Sequence, residues 1–469
     1  MRVQTLDDAK TDIRDAAIEE LRTAVRGSLI LPDDPRYDEA RRVWNGTIDR
    51  RPALIAQCSG AADVMAAVKF AAHHELLVAV RGGGHSLPGH SVCDGGLVID
   101  LSSMRGVSVD PRRRAVRAQG GALWGDVDHE SQAFGLATPG GMVSTTGIAG
   151  LTLGGGSQSW LIRKFGNSAD SLLSADVVTA GGDLVTASAS EHTDLFWALR
   201  GGGGNFGIVT SFEFQLHPVG PMVLAGGAFF AWERIKEVTE FYLDYVKHVP
   251  DELTMALFYW GAPPAPFLPE SIHGRNVAII GLCYTGSIDA GEKVVAPIRA
   301  LKPTVDIIGP MPYIALQAMF DPIVPKGTCA YVKSDYFDAV PPAMVDDIVR
   351  WAERKPFAMS MARLNHFGGA MSRIPDDATP FPHRKALFAF SPDALWHKPE
   401  EADASERWAK DCWQAMRSYS PRGAYVNFMS DEGQDRVRES YRGNYDRLVR
   451  IKRIYDPANL FRLNQNIRP

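Results

Sequence analysis

Six glycine clusters, at 82–84, 95–96, 140–141, 154–156, 181–182 and 201–204, fall within the first 210 of 469 residues. Between them run short, mostly β-branched segments at 76–80, 97–100, 115–118, 176–179 and 207–210, which read as strands ending in glycine turns. Helical spacing interleaves at 61–74 and 194–199. A strand end without Cβ atoms lets backbone N–H groups approach an anion closely and permits φ > 0. One such cluster reads equally well as a turn. Six in one unit suggest a large phosphorylated cofactor laid across several loops. No GxxxxGK[ST] occurs, and no GxGxxG follows the first strand with an acid about 20 residues on, so P-loop and Rossmann sites are set aside.

A chain of this length outgrows a single hydrophobic core, so at least two domains are expected. A net charge of -5 lacks the basic footprint of a general nucleic-acid binder. No run approaches the roughly 20 apolar residues of a membrane span, and residues 1–27 have no apolar signal region. The five cysteines are scattered without a CxxC pair, which reads as reduced thiols in a cytoplasmic protein with no metal site. The texture changes at 217–221. Beyond it, strand-like runs at 256–260, 276–282 and 385–390 alternate with helical stretches at 232–246 and 343–352, and prolines gather at 262–266. That pattern predicts an antiparallel sheet with flanking helices. The tail reads as one helix over 436–454 and a turn at Asp456-Pro457.

The loop Arg81-Gly82-Gly83-Gly84-His85-Ser86, followed by the strand at 95–101, resembles the FAD-linked oxidases of the p-cresol methylhydroxylase/vanillyl-alcohol oxidase type, in their berberine-bridge-enzyme-like branch. The resemblance continues through Ala137-Thr138-Pro139-Gly140-Gly141, the stretch 146–156 and the stretch 194–210. It returns at Ala424-Tyr425-Val426-Asn427-Phe428, Gly443-Asn444-Tyr445 and residues 455–461. It implies an α+β, two-lobed fold: an FAD-binding PCMH-type domain over 1–218, a substrate domain over 219–420 with an antiparallel sheet and flanking helices, and a berberine-bridge-like segment over 421–469 returning to the FAD domain.

The same resemblance implies FAD held covalently through the ring of His85. A second link through cysteine is not expected, since Val143 stands at that position in Gly141-Met142-Val143-Ser144-Thr145-Thr146-Gly147. Cofactor contacts are expected from Arg81, Gly82, Gly83, Gly84 and Ser86, from Gly141, Val143, Thr145, Thr146, Gly147, Gly150 and Gly154, and from Asn205, Gly207, Ile208 and Val209. Tyr425 and Asn427 should line the flavin, Tyr425 as candidate base; His366 is a second candidate, reading equally well as a structural histidine. After Pro382-His383-Arg384, the pocket side of the stretch Leu387-Phe388-Ala389-Phe390-Ser391 reads as apolar.

The implied activity is hydride transfer from a small or medium organic substrate (alcohol, phenolic natural product or sugar) to flavin N5, with O2 as re-oxidant and H2O2 released. The alternatives are a dehydrogenase using another acceptor and a flavin-binding protein without turnover. Partners reduce to a small-molecule substrate and O2, with no nucleic acid and no membrane, in a monomer or homodimer.

Overall fold

The computed structural model describes residues 1–264, 268–420, 423–430 and 432–469; the expected boundary at 421 and the end of the proline stretch 262–266 lie outside them. Strands Leu54–Gln57 and Val78–Arg81 are joined by helix Ala61–His73, and Leu97–Asp100 inserts between them in parallel register. Ser28–Ile30 adds an antiparallel edge. Parallel strands are covered on both faces and therefore read as continuous apolar runs, as Leu97–Asp100 does. The crossover helix buries Val64, Ala67, Val68 and Ala71, one stripe of a 3.6-residue repeat, onto this sheet.

A second, antiparallel sheet runs in the order Leu184–Ser188, Leu172–Val178, Ile208–Gln215, Ala115–Gln119, Val107–Asp110. Phe212 and Phe214 alternate inward from it, where they meet Trp197 and, from the far end of the chain, Val437, Tyr441, Leu448 and Ile467. The last segment thus completes a core begun in the first half.

Residues 222–396 build a nine-stranded antiparallel sheet. Its central strand Leu253–Gly261 is buried along its whole length because both faces are covered. Met255, Leu257 and Tyr259 meet helices Ile235–Tyr245, Pro342–Glu353 and Ala402–Arg417, whereas Ala256, Phe258 and Trp260 point to the opposite side, as the two-residue strand period requires. That opposite side faces the glycine loops.

Two expectations shift. The strand expected at 385–390 runs instead over Phe388–Trp396, straight through Pro392. One neighbouring strand pairs with 388–390 and another with 393–396, so Pro392 falls in the gap between them, where a missing N–H costs no ladder bond. The single helix expected over 436–454 is two helices, Gln434–Tyr441 and Tyr445–Tyr455. Arg442 takes φ +49° at the break, and Asn444 Nδ2 donates to the carbonyls of Asp376 and Thr379.

Candidate functional site

The glycine loops and the free face of the large sheet enclose a cavity of ≈ 410 Å³. Its first wall is Gly82, Gly83, Gly84, His85 and Ser86, directly after strand Val78–Arg81. Gly83 lies against Gly147: a Cβ on Gly83 would stand 2.5 Å from the N and Cα of Gly147, so the two loops touch backbone to backbone. Gly84 sits at φ +71°, a conformation that favours glycine. Among the described residues, the N–H groups of Gly83, Gly84, His85 and Ser86 find no protein acceptor. A row of amides without acceptors on a concave wall is a site for anionic oxygens.

The His85 ring is stacked on Trp44, with centroids 5.0 Å apart and planes at 22°, and its Nε2 lies 3.2 Å from Thr145 Oγ1. Trp44 is anchored in turn, its Nε1 donating to the Val324 carbonyl at 3.1 Å. Burial pushes the imidazole pKa down to about 4, so the ring is neutral at neutral pH and one nitrogen keeps its lone pair. A neutral imidazole held by stacking is a competent nitrogen nucleophile.

Gly141, Val143, Thr146, Gly147, Gly150, Gly207, Ile208 and Val209 line the same cavity, and Phe461, Leu463, Asn464 and Gln465 close it from the end of the chain. Tyr425 and Asn427 also line it. The Tyr425 Oη accepts from the Ser157 backbone N–H at 3.3 Å and from Asn427 Nδ2 at 2.9 Å; Asn427 Nδ2 also lies 3.2 Å from the Leu151 carbonyl. Ser157 Oγ and the Gly156 backbone also lie within hydrogen-bonding reach of this phenol. Burial pushes this pKa up to about 12, so the phenol keeps its proton at neutral pH.

Five residues expected at the cofactor or the chemistry take other places. Arg81 does not line the cavity: its guanidinium holds buried Asp100, Nε to Oδ1 at 2.9 Å and Nη2 to Oδ2 at 2.6 Å, and also donates to the Ala40 carbonyl. Asn205 is a clasp for the chain end, donating to the Gly202 and Gln465 carbonyls and accepting from the Ile467 N–H. Gly154 stands behind Asn427, leaving room for its amide; a Cβ there would lie 2.1 Å from Asn427 Oδ1. Thr145 reaches the site only through its contact with His85. His366 is buried beside Arg163, whose Nη1 is 3.4 Å from the ring and which also holds the Phe367 carbonyl; burial pushes its pKa down to about 3. It has a structural setting, away from the cavity.

Sequence reasoning missed two features. Trp44 comes from a loop 41 positions before His85. On the opposite wall, Arg363 and Asp393 project from adjacent strands into the cavity with Nη2 and Oδ2 3.1 Å apart. The strand continues past 387–391, the stretch that reads as apolar, and its pocket side carries a charge at Asp393. A lone acid inside the otherwise apolar Phe388–Trp396 was the available signal.

Residues 52–188 match the FAD binding domain family, and residues 424–468 match the family described as berberine and berberine like. The chain is 31% identical to an uncharacterized FAD-linked oxidoreductase, YgaK, of Bacillus subtilis, over 96% of this chain and 98% of that protein. It is 30% identical to (R)-6-hydroxynicotine oxidase of Paenarthrobacter nicotinovorans, over 95% of this chain and 97% of the relative. The crystal structure of 6-hydroxy-D-nicotine oxidase from Arthrobacter nicotinovorans superposes with a TM-score of 0.83 at 29% identity, covering 95% of this chain and 98% of that one. Among the described residues, no helix is long and apolar enough to cross a membrane.

Proposed function

The chain belongs to the berberine-bridge-like FAD-linked oxidoreductases of the PCMH type, and from that footing we propose that it oxidises a small organic molecule at a flavin carried by His85. The donor set fits the cofactor: amides without acceptors at 83–86 suit a pyrophosphate, and the apolar remainder of the cavity suits a flat ring system. Bound there, FAD supplies a two-electron acceptor for a hydride.

The observation that carries this reading is the His85 ring itself, neutral, stacked on Trp44 and set in the glycine loop. Its ring nitrogen is the proposed point of attachment to the 8α-methyl of the flavin. Val143 offers no nucleophile, so the link is single. The glycine loops at 82–86, 141–150 and 207–209 hold the cofactor. Tyr425, protonated and anchored by Ser157 and Asn427, turns its hydroxyl hydrogen toward the substrate heteroatom and orients it, an assignment that replaces the base role. We divide the chain into a cofactor lobe, 1–218 with 421–469, and a substrate lobe, 219–420. Dioxygen is the proposed final acceptor.

Acid denaturation tests the attachment. The precipitated protein should stay yellow, with flavin on a single peptide containing His85, and His85→Ala should bind FAD but release it in acid. Complete loss of flavin from the wild-type protein in acid would overturn the assignment.

A further inference from the structure

Arg363 and Asp393 are a charged pair set in a wall otherwise made of apolar side chains such as Phe258, Phe320, Met361 and Leu395. Burying charge against apolar surface is costly unless the pair does something an apolar pair could not. Its hydrogen bonds are unevenly shared. Asp393 accepts from Ser391 Oγ through Oδ1 and faces Arg363 as an ion pair through Oδ2. The ion pair comes closest at Arg363 Nη2 to Asp393 Oδ2, 3.1 Å, and among the described residues no hydrogen bond joins the two side chains. The Arg363 Nε is buried without a partner. The excess donors belong to the arginine.

Arg363 also lies over an aromatic ring. Its Cζ lies 5.3 Å from the centroid of the Phe428 ring, and Phe428 meets the Tyr425 ring edge-on at 5.1 Å and 70°. Phe428 therefore neighbours both the phenol ring and the guanidinium. A molecule whose heteroatom takes the Tyr425 hydrogen can pass its body over Phe428 and end at Arg363.

Resting on the function proposed above, we infer that Arg363 selects substrates with an apolar or aromatic body ending in a carboxylate, the carboxylate taking the arginine donors that Asp393 leaves over. A planar fork suits a planar carboxylate. Asp393 is a positioning residue, fixing the guanidinium from behind. The pair is neutral when the cavity is empty of ligand and becomes fully hydrogen-bonded only when an acceptor enters.

Matched probes test this by calorimetric binding to the holoenzyme, which needs no turnover: 3-phenylpropionate, 3-phenylpropanol and 3-phenylpropylamine share one body and differ in the end group. The carboxylate should bind at least roughly tenfold tighter than the alcohol, the scale of one charge-assisted hydrogen bond. Arg363→Gln should erase that preference while flavin content stays unchanged, Arg363→Lys should keep part of it, and Asp393→Asn should strengthen it by removing a nearby negative charge. Tightest binding of the amine, lost in Asp393→Asn, would overturn the proposal in favour of a cation site. Equal binding of all three probes, unaltered by Arg363→Gln or Arg363→Lys, would reduce the pair to wall structure. The acid test on His85 is read separately, so flavin lost in acid with the carboxylate preference intact would sink the attachment and leave this inference standing.

Discussion

On one side of the cavity the working groups are main-chain amides; on the other they are side chains standing on alternate strand positions. The glycine loops at 82–86 and 141–147 pack so closely that Gly83 and Gly147 leave no room for a Cβ. The wall of the nine-stranded sheet has its geometry set by register, Met361 opposite Asp393 and Arg363 opposite Ser391, while the identity of each side chain stays adjustable. A backbone site tolerates little change because altering a residue moves the site itself. A side-chain site on a fixed sheet can be rewritten one position at a time. The function proposed above accordingly places the cofactor on the rigid side and substrate choice on the variable one.

The sharpest way to break this contrast is at Gly83. Gly83→Val should abolish flavin loading, because its Cβ would collide with Gly147 at 2.5 Å and with Leu123 Cδ2 at 3.0 Å. The FAD-to-protein ratio measures it, and a normally loaded variant would show that the two loops can part.

A second test sits where the two regions meet. Asp128, on the helix Trp124–Gln132, is fully buried and accepts from Gln317 Nε2 at 3.1 Å; the same Gln317 nitrogen donates to the Gly141 carbonyl at 2.8 Å. Burial pushes the Asp128 pKa up to about 7 from the 3.8 of a free carboxyl, opposed by the Gln317 bond. A raised carboxyl binds its proton more tightly in the folded state. Its contribution is complete below about pH 4 and is lost as pH rises to about 7, up to about 4 kcal/mol in all. The buried histidines His85, His217 and His366, pushed the other way, gain stability over part of that range, so the measurement must be a difference. Urea midpoints of the protein and its Asp128→Asn variant should diverge between pH 4 and 7 in the variant's favour. Parallel curves would place Asp128 in water.

Tyr425→Phe probes the side-chain region itself. Without the hydroxyl that orients the substrate, kcat should fall by roughly 10²-fold or less, with the flavin spectrum preserved. An unchanged kcat with a raised KM would confine the phenol to ground-state binding.

The contrast also explains what could be read from the residues alone. Glycine clusters carry their meaning in composition, since a Cβ on Gly83 would collide with Gly147 and φ +71° at Gly84 favours glycine. The cofactor wall was accordingly legible, apart from residues whose side chains turn elsewhere. Arg81 belongs to the loop motif, yet its guanidinium goes back to Asp100, a strand partner no motif indicates. Asn205 sits among glycines but reaches Ile467, 262 positions away. The substrate wall was hidden for the same reason in stronger form. Arg363 and Asp393 meet only because two strands pair in one register, and a slip of one residue between them would put the two side chains on opposite faces. The tail's helix break was missed because Asn444 answers to Asp376 and Thr379, which are remote in sequence.

The closing wall of the cavity, Phe461 to Gln465, has a consequence for how the protein is made. This wall is pinned by late contacts: buried Lys452 pairs with Asp456 at 2.6 Å and donates to the carbonyls of Asn205 and Phe461, while Asn205 grips Ile467. A ribosome that has delivered everything up to Tyr455 has already made every sheet strand, both glycine loops and His85, but the pocket still lacks one side. Flavin that meets such a nascent chain encounters an open trough. On the function proposed above, capture of the cofactor waits until residues 456–467 have joined the fold, and a chain cut before them lacks that wall.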